Sequence, residues 1–244
     1  MSVLLELSDL SITRGGRILL SGLGCTIKAG EVVVVLGPNG AGKSSLLLAL
    51  TGLIPASGGI ELQGRPLAAY GRDELSQSIA WQGELPPTEF GLTVRQRLEL
   101  AAGEAGSEIE TSAAAMDVAP LLQRPLGELS SGERQRTELA ALMLRDAPIW
   151  LLDEPTAHLD LKHQIHCMHM IKEQRAKGRA IVTVLHDLQQ AMAIADHLIL
   201  IDGKSGAEYG EAKQLFTGNR LSHLFDAPVI RQGSVFVPNY GEKR

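Results

Sequence analysis

Gly37-Pro38-Asn39-Gly40-Ala41-Gly42-Lys43-Ser44 places two glycines, a lysine and a hydroxyl in the spacing G-x-x-x-x-G-K-[ST]. Glycines so placed let successive backbone N–H groups turn inward around a polyphosphate. Lys43 adds a point charge for the β- and γ-phosphates, and Ser44 a hydroxyl for Mg²⁺. Ser45 follows where a helix N-terminus would add free N–H groups and the positive dipole end. A bare glycine-rich turn would not need the β-branched run before it (Val32 to Leu36) and the apolar helix-like run after it (Leu46 to Leu50). The loop predicts a bound nucleoside triphosphate.

A phosphate loop alone names no reaction. Ile149-Trp150-Leu151-Leu152-Asp153-Glu154 is an apolar strand ending in two adjacent carboxylates. Neighbours at a strand end can point differently, so the two can take separate jobs. Asp153 is expected to join Ser44 around Mg²⁺, largely through water. Glu154 is expected to face the γ-phosphate and polarise the attacking water. Just upstream, Leu129-Ser130-Ser131-Gly132-Glu133-Arg134-Gln135-Arg136 opens an expected helix, Glu133 to Leu144, with a hydroxyl and free N–H groups at its start. That makes a second anion-binding helix start in one chain.

These groups require a frame of strands and helices. The first thirty-odd residues alternate short apolar stretches with Gly and Ser and predict an antiparallel β-region. Further strands are expected at Gly59 to Leu62 and Ser78 to Trp81. From Pro86 to about Pro148 the chain is rich in Ala, Leu, Glu and Gln, as a helical lobe would be. From Ile149 the pattern returns to β/α alternation. Strand Ile149 to Leu152, helix Leu161 to Lys177, strand Ala180 to Leu185, helix Leu188 to Ala195 and strand Leu198 to Ile201 predict a parallel sheet with right-handed crossovers. The fold class is therefore α/β: a P-loop NTPase core, mostly parallel, with an N-terminal antiparallel β-region and an inserted helical lobe. One domain over 1–244 is expected, with 1–85 and 149–244 as the β-region and core and 86–148 as the lobe.

The order phosphate loop, LSSGERQR, IWLLDEP and a lone histidine after a strand resembles the ATPase subunit of ATP-binding-cassette (ABC) transporters over essentially the whole chain. The resemblance implies that Ser130, Ser131, Gly132 and Glu133 form a signature loop completing the nucleotide site of a second subunit. Two ATP molecules would then be sandwiched in a head-to-tail homodimer. It implies that Gln82 is the glutamine that senses the γ-phosphate and Mg²⁺. Asp160 would be the interface aspartate, and His186, in Val184-Leu185-His186-Asp187, the histidine on the γ-phosphate. Three departures stand out. Ser131 occupies a position where glycine is commonest, and Glu133 one where glutamine is. The stretch Ser11 to Arg17 has no aromatic to stack on adenine; Arg14 falls near that place and either stacks through its guanidinium plane or is solvated.

Composition bounds the partners. The chain has 244 residues, a formal charge of −5, 44% hydrophobic and 21% charged residues, and no basic stripe that could neutralise nucleic-acid phosphates. No apolar run approaches bilayer-spanning length. The N-terminus carries Glu6 and Asp9 instead of a basic leader, and Cys25 and Cys167 make no disulfide framework or metal-ligand spacing. The chain looks cytoplasmic, and the resemblance implies a peripheral position on the cytoplasmic face of the inner membrane.

A free-standing chain with a short lobe, the wording LDEPTAHLD and a tail carrying Leu221-Ser222-His223-Leu224-Phe225 before a β-like Pro228 to Ile230 most resembles the subfamily serving iron–siderophore, haem and cobalamin import. That resemblance implies integral-membrane permease subunits and, indirectly, a periplasmic or lipid-anchored substrate-binding protein. The permease would dock around Glu84 to Val94, with Phe90 and Leu92 either apolar anchors or lobe core. The alternative is a soluble ABC ATPase outside transport. A P-loop kinase would leave LSSGERQR and Asp153-Glu154 unexplained, and a cassette without catalysis would not need Lys43, Gln82, Glu154 and His186. His163, His166 and His169 recur every three residues, close enough for imidazoles to meet. A metal site is one reading; with no Cys or carboxylate pattern beside them, a solvated or interface face is the expected one.

Overall fold

The computed structural model describes residues 2–83, 85, 91–103, 108–239 and 241. Two long strands, β1 (Val3–Arg14) and β2 (Arg17–Lys28), pair antiparallel across Gly15-Gly16. Both glycines have positive φ, 57° and 76°, as a two-residue hairpin turn that follows strand twist requires. With β4 (Ser57–Leu62) and β5 (Arg65–Pro66) they form a sheet in the order β2-β1-β4-β5. One face alternates Leu5, Leu7, Leu10 and Ile12 inward, all almost fully buried.

The second sheet carries the site. Its strands are β3 (Val32–Leu36), β6 (Ile79–Gln82), β7 (Ile149–Asp153), β8 (Ala180–Val184), β9 (His197–Ile201) and β10 (Ala207–Glu211), in the order β10-β9-β3-β8-β7-β6. All pairs are parallel except β9 with the edge strand β10. The central strands are buried on both faces, which is why they read as continuous Val, Ile and Leu. In register, Val35 faces Val184 and Val184 faces Asp153, so β3, β8 and β7 end side by side. Loops leaving those carboxyl ends are where an open α/β sheet binds ligands.

Helices cover the sheet: α1 (Lys43–Leu50), α2 (Arg72–Ser78), α3 (Val94–Ala102), α4 (Ile109–Ala115), α5 (Ser131–Met143), α6 (Leu161–Ala176), α7 (Leu188–Ile194), α8 (Ala212–Leu215) and α9 (Gly218–Phe225). In the segment expected to be helical, α3 and α4 pack on α5. The Arg97 guanidinium donates two hydrogen bonds, 2.9 and 2.6 Å, to the Glu138 carboxylate there. The short hairpin of β11 (Val229–Gln232) and β12 (Val235–Pro238) closes the chain on α7 and α9.

Some expectations need correction. Ser78 does not open a strand; it ends α2, whose last turn closes through the Ile79 N–H on the Leu75 carbonyl, while the Ser78 Oγ donates to the Glu74 carbonyl at 2.8 Å. Helix α5 begins two residues before Glu133, because Ser130 caps it. Helix α2 and strands β10 and β12 were not anticipated. Both thiols are buried, and burial pushes Cys25 and Cys167 up to about 12.

Candidate functional site: a phosphate-loop cleft at the strand ends

The cleft begins where β3 stops. Gly37 has no room for a side chain: a Cβ there would lie 2.2 Å from the Ile201 carbonyl oxygen on β9. Gly42 precedes α1 at φ 104°, and a Cβ there would lie 3.0 Å from Leu19 on β2. The two glycines therefore let the loop turn tightly between the sheets. Lys43, only 6% exposed, curls back so that its Nζ donates to the carbonyls of Gly37 and Pro38, both at 2.9 Å. Burial pulls the Lys43 ammonium below the ordinary lysine range, and the Glu154 and Asp153 carboxylates oppose that pull.

A cleft of about 730 Å³ is lined by Arg14, Leu19, Asn39, Gly40, Gly42, Lys43, Ser44, Ser45, Glu154 and His186, among others. Arg14 arrives at the end of β1, beside the Gly15-Gly16 turn. An adjoining cavity is lined by Arg14, Ser44, Gln135, Asp153, Glu154 and His158. The structure thus brings Arg14, the phosphate loop, both carboxylates and His186 into one place. Pro38 and Ala41 belong to the loop's body, and Ala41 is buried.

Glu154 has φ 52°, a left-handed conformation that costs an ordinary residue about 1–2 kcal/mol. It is held by its own N–H, which donates to the Val184 carbonyl at 3.2 Å. In this pose its Oε1 lies 2.6 Å from His186 Nε2, linking the ends of β7 and β8.

Gln82, at the end of β6, is 4% exposed; its Nε2 donates to Gly83 O at 2.7 Å. Its buried Oε1 has no hydrogen-bond partner among the described residues. An oriented amide oxygen, the Ser44 hydroxyl and the Asp153 carboxylate are all hard oxygen donors, so the residues present fit Mg²⁺.

Ser130, Ser131, Gly132, Glu133 and Asp160 line neither cavity. Ser130 Oγ accepts from Glu133 N at 3.2 Å while Glu133 Oε2 accepts from Ser130 N at 2.8 Å, a reciprocal cap. That backbone bond holds Glu133 below the usual carboxylate range. Glutamate therefore serves the cap that glutamine would also serve. Ser131 is exposed in the first turn, which accommodates its Cβ and hydroxyl. Gly132 packs so closely that a Cβ would lie 2.8 Å from the His158 carbonyl. Asp160 caps α6, accepting from His163 N at 2.9 Å, and its Oδ1 also meets His163 Nδ1 at 2.7 Å. Thr88, Glu89 and Phe90 lie outside the described residues.

Gln135 carried no expected role. It is 2% exposed, and its Nε2 donates to the Pro155 carbonyl at 3.0 Å and to that of Glu154 at 3.5 Å. The signal in the sequence is a polar residue on the stripe Gln135, Glu138, Leu139 and Leu142, which a helix would turn inward.

Comparison with known proteins identifies the family. The ABC transporter family profile matches residues 20–157. The hemin import ATP-binding protein HmuV of Streptomyces coelicolor is 38% identical over 237 residues, covering 93% of this chain and 85% of that protein. The cobalamin import ATP-binding protein BtuD of Halobacterium salinarum is 34% identical, covering 92% of this chain and 59% of that protein. A solved ATP-binding subunit of an ABC transporter superposes with a TM-score of 0.80 at 26% identity, covering 91% of this chain and 94% of that one. The chain belongs to the ABC transporter family and is one of its ATP-binding, ATP-hydrolysing domains.

Proposed function

We propose that this chain is the ATP-hydrolysing subunit of an importer. In this reading it couples ATP-driven closure of a homodimer to passage of a metal chelate, such as haem, cobalamin or an iron–siderophore, through a membrane permease. The observation that carries the reading is the Glu154–His186 contact at 2.6 Å facing the Lys43 loop across one cleft. The import names of HmuV and BtuD support the direction of transport and the cargo class.

The triphosphate lies along the loop from Asn39 to Ser45, and the Lys43 ammonium exchanges the carbonyls of Gly37 and Pro38 for β- and γ-phosphate oxygens. Arg14 lies at the mouth of the cleft, where its guanidinium plane can stack on the base. Ser44, Gln82 and Asp153 would hold Mg²⁺, whose charge offsets that of the phosphates. The Glu154 carboxylate takes a proton from the attacking water as the general base. His186 holds that carboxylate in place and offers its ring to the γ-phosphate. Ser130 to Gly132 and Asp160 lie off this cleft, as they must if they complete the site of the opposite protomer. A ligand shifts a conformational equilibrium only by binding one state better, so contacts made only in the closed dimer are those that can drive a permease.

The permease docks where core and lobe meet. A groove of about 340 Å³ there is lined by Leu53, Trp81, Leu100 and Arg97, among others. Leu53, Trp81 and Leu100 are 61%, 39% and 68% exposed, an apolar set suited to a partner. The lobe, 86–148, and the core, 1–85 and 149–244, act as one domain hinged near Gln82. The subunit sits peripherally on the cytoplasmic face, with a substrate-binding protein acting on the far side and no nucleic-acid partner.

The test is affinity purification of the tagged protein from detergent-solubilised native membranes. Recovery of a polytopic permease whose binding protein takes a metal chelate is the expected result. Recovery of soluble partners alone would overturn the importer reading in favour of an ABC ATPase outside transport.

A further inference from the structure

We propose that Gln135 is a positioning residue for hydrolysis, holding the turn that aims the Glu154 carboxylate; this rests on the reading of Glu154 as general base. The turn needs holding. Glu154 sits at φ 52° without being glycine, so its conformation persists only where surroundings over-determine it. Three contacts do so. Glu154 N donates to Val184 O at 3.2 Å, Ala157 N donates to Glu154 O at 3.0 Å, and Gln135 Nε2 reaches the carbonyls of Pro155 and Glu154 at 3.0 and 3.5 Å. The first two are backbone bonds. Gln135 grips the turn's backbone carbonyls from a different element, beside the Thr156 Oγ1 bond to Gln190 Oε1 at 2.8 Å and the His186 contact on the Glu154 carboxylate, and at 2% exposure water has little access to replace it.

The clamp also joins two functions. Gln135 is carried by α5, whose first turn is Ser131-Gly132-Glu133 behind the Ser130 cap. Gln135 lies five positions along the helix from Ser130, a rise of about 7.5 Å. A rigid element therefore runs from the signature loop to the base turn of the same protomer. The Gly132 backbone, packed against the His158 carbonyl, braces the far end of the loop that Gln135 grips at Pro155.

The test compares Gln135→Leu, Gln135→Glu and Glu154→Gln in the full-length protein, by steady-state MgATP hydrolysis between pH 6 and 9 and by direct ATP binding. Leucine removes the donor while keeping much of the volume. The expected result is a kcat lowered at least tenfold, with KM and ATP affinity within threefold of wild type. In the Gln135→Glu variant the buried carboxyl is pushed up by desolvation, and only its protonated form can donate to the Pro155 carbonyl. Its rate relative to wild type should therefore rise at least fivefold as pH falls from 9 to 6. In a Glu154→Gln background, Gln135→Leu should change the residual rate less than twofold.

A wild-type kcat in Gln135→Leu, or a flat pH ratio in Gln135→Glu, overturns the positioning role while leaving Glu154 as base. Full additivity in the double mutant does the same. Near wild-type turnover in Glu154→Gln alone overturns the underlying reading and this inference with it. If Gln135→Leu fails to fold, the pH ratio of Gln135→Glu decides.

Discussion

Replacing Lys43 by methionine should separate stability from nucleotide affinity. Methionine keeps the unbranched stem and its packing while deleting the ammonium. Before nucleotide binds, two effects oppose each other. The carbonyls of Gly37 and Pro38 lose donors at 2.9 Å, while a charge that is 6% exposed no longer has to be kept out of water. An unsatisfied buried group costs about 1–3 kcal/mol, and relief from desolvation is of similar size, so the net change should stay within about 2 kcal/mol.

With ATP the balance is one-sided. Two charge-assisted hydrogen bonds to the β- and γ-phosphates, at about 1.5–3 kcal/mol each, are lost together with the charge attraction to the triphosphate, which outweighs the carbonyl bonds that the wild type gives up to reach it. The Kd should rise by roughly 10²- to 10⁴-fold. Calorimetric titration reads this directly, and thermal melting reads it by linkage. At 100 times the wild-type Kd, ATP stabilises the wild type by about 2.7 kcal/mol. For a domain of this size that is roughly 5–11 °C. At the same concentration the variant gains at most about 0.4 kcal/mol, near 1 °C. A variant that binds ATP within threefold of wild type, or melts with the wild-type ATP shift, would refute the role assigned to Lys43.

Glu154→Gln should bind ATP, dimerise with it by light scattering and hydrolyse it about 10²- to 10⁴-fold more slowly; turnover near wild type would remove Glu154 from its role. Glu154→Gly should be equally inactive yet melt no lower than wild type, because glycine relieves a left-handed cost of about 1 kcal/mol; a drop of several degrees would show that the turn is not strained. Arg14→Ala should weaken ATP about 3- to 10-fold and leave tripolyphosphate unchanged, since a stacked guanidinium acts on the base alone; equal loss for both ligands would contradict stacking. Glu133 is held below the ordinary carboxylate range chiefly by the Ser130 N–H. The stability it lends is therefore complete above the unfolded value, near 4.3, and is lost as pH falls through the folded value. Glu133→Gln should flatten that acid limb in melts below about pH 4.5, and an unchanged limb would argue against the cap as its source.

The parts of this site that the sequence discloses are those whose chemistry and position coincide within a short window. Val32–Leu36 and Ile149–Asp153 are strands buried on both faces, so each is an unbroken apolar run that ends at its functional loop. The phosphate loop needs glycine for backbone reasons and lysine for charge, and both are visible as letters. Helices α5, α6 and α7 are legible for the same reason, with ends displaced by a residue or two, whereas the short helices α8 and α9 are not. What stays hidden depends on partners far along the chain. Arg14 reaches the cleft because Gly15-Gly16 turns β1 into β2 beside the loop. Strand β10 contains two glutamates and a glycine and exists because β9 offers an edge to pair with. Ser78 belongs to a helix because α2 runs on until the Ile79 N–H closes on the Leu75 carbonyl, an end that no letter marks.

The harder case is Glu154, where local rules point the wrong way. A glutamate flanked by aspartate and proline gives no hint of a positive φ, which the chain usually marks with glycine or asparagine. Glycine would be the comfortable residue there, and it could not take a proton. The conformation is instead enforced from outside by a β8 carbonyl, an amide in the following turn and Gln135 on α5. Residues that violate local preference for a chemical reason need such external support, and real proteins concentrate those violations at functional sites. Six other non-glycine residues described here also have positive φ, so it is the coincidence of that strain with a carboxylate lining the phosphate-loop cleft that argues this turn serves chemistry and not packing.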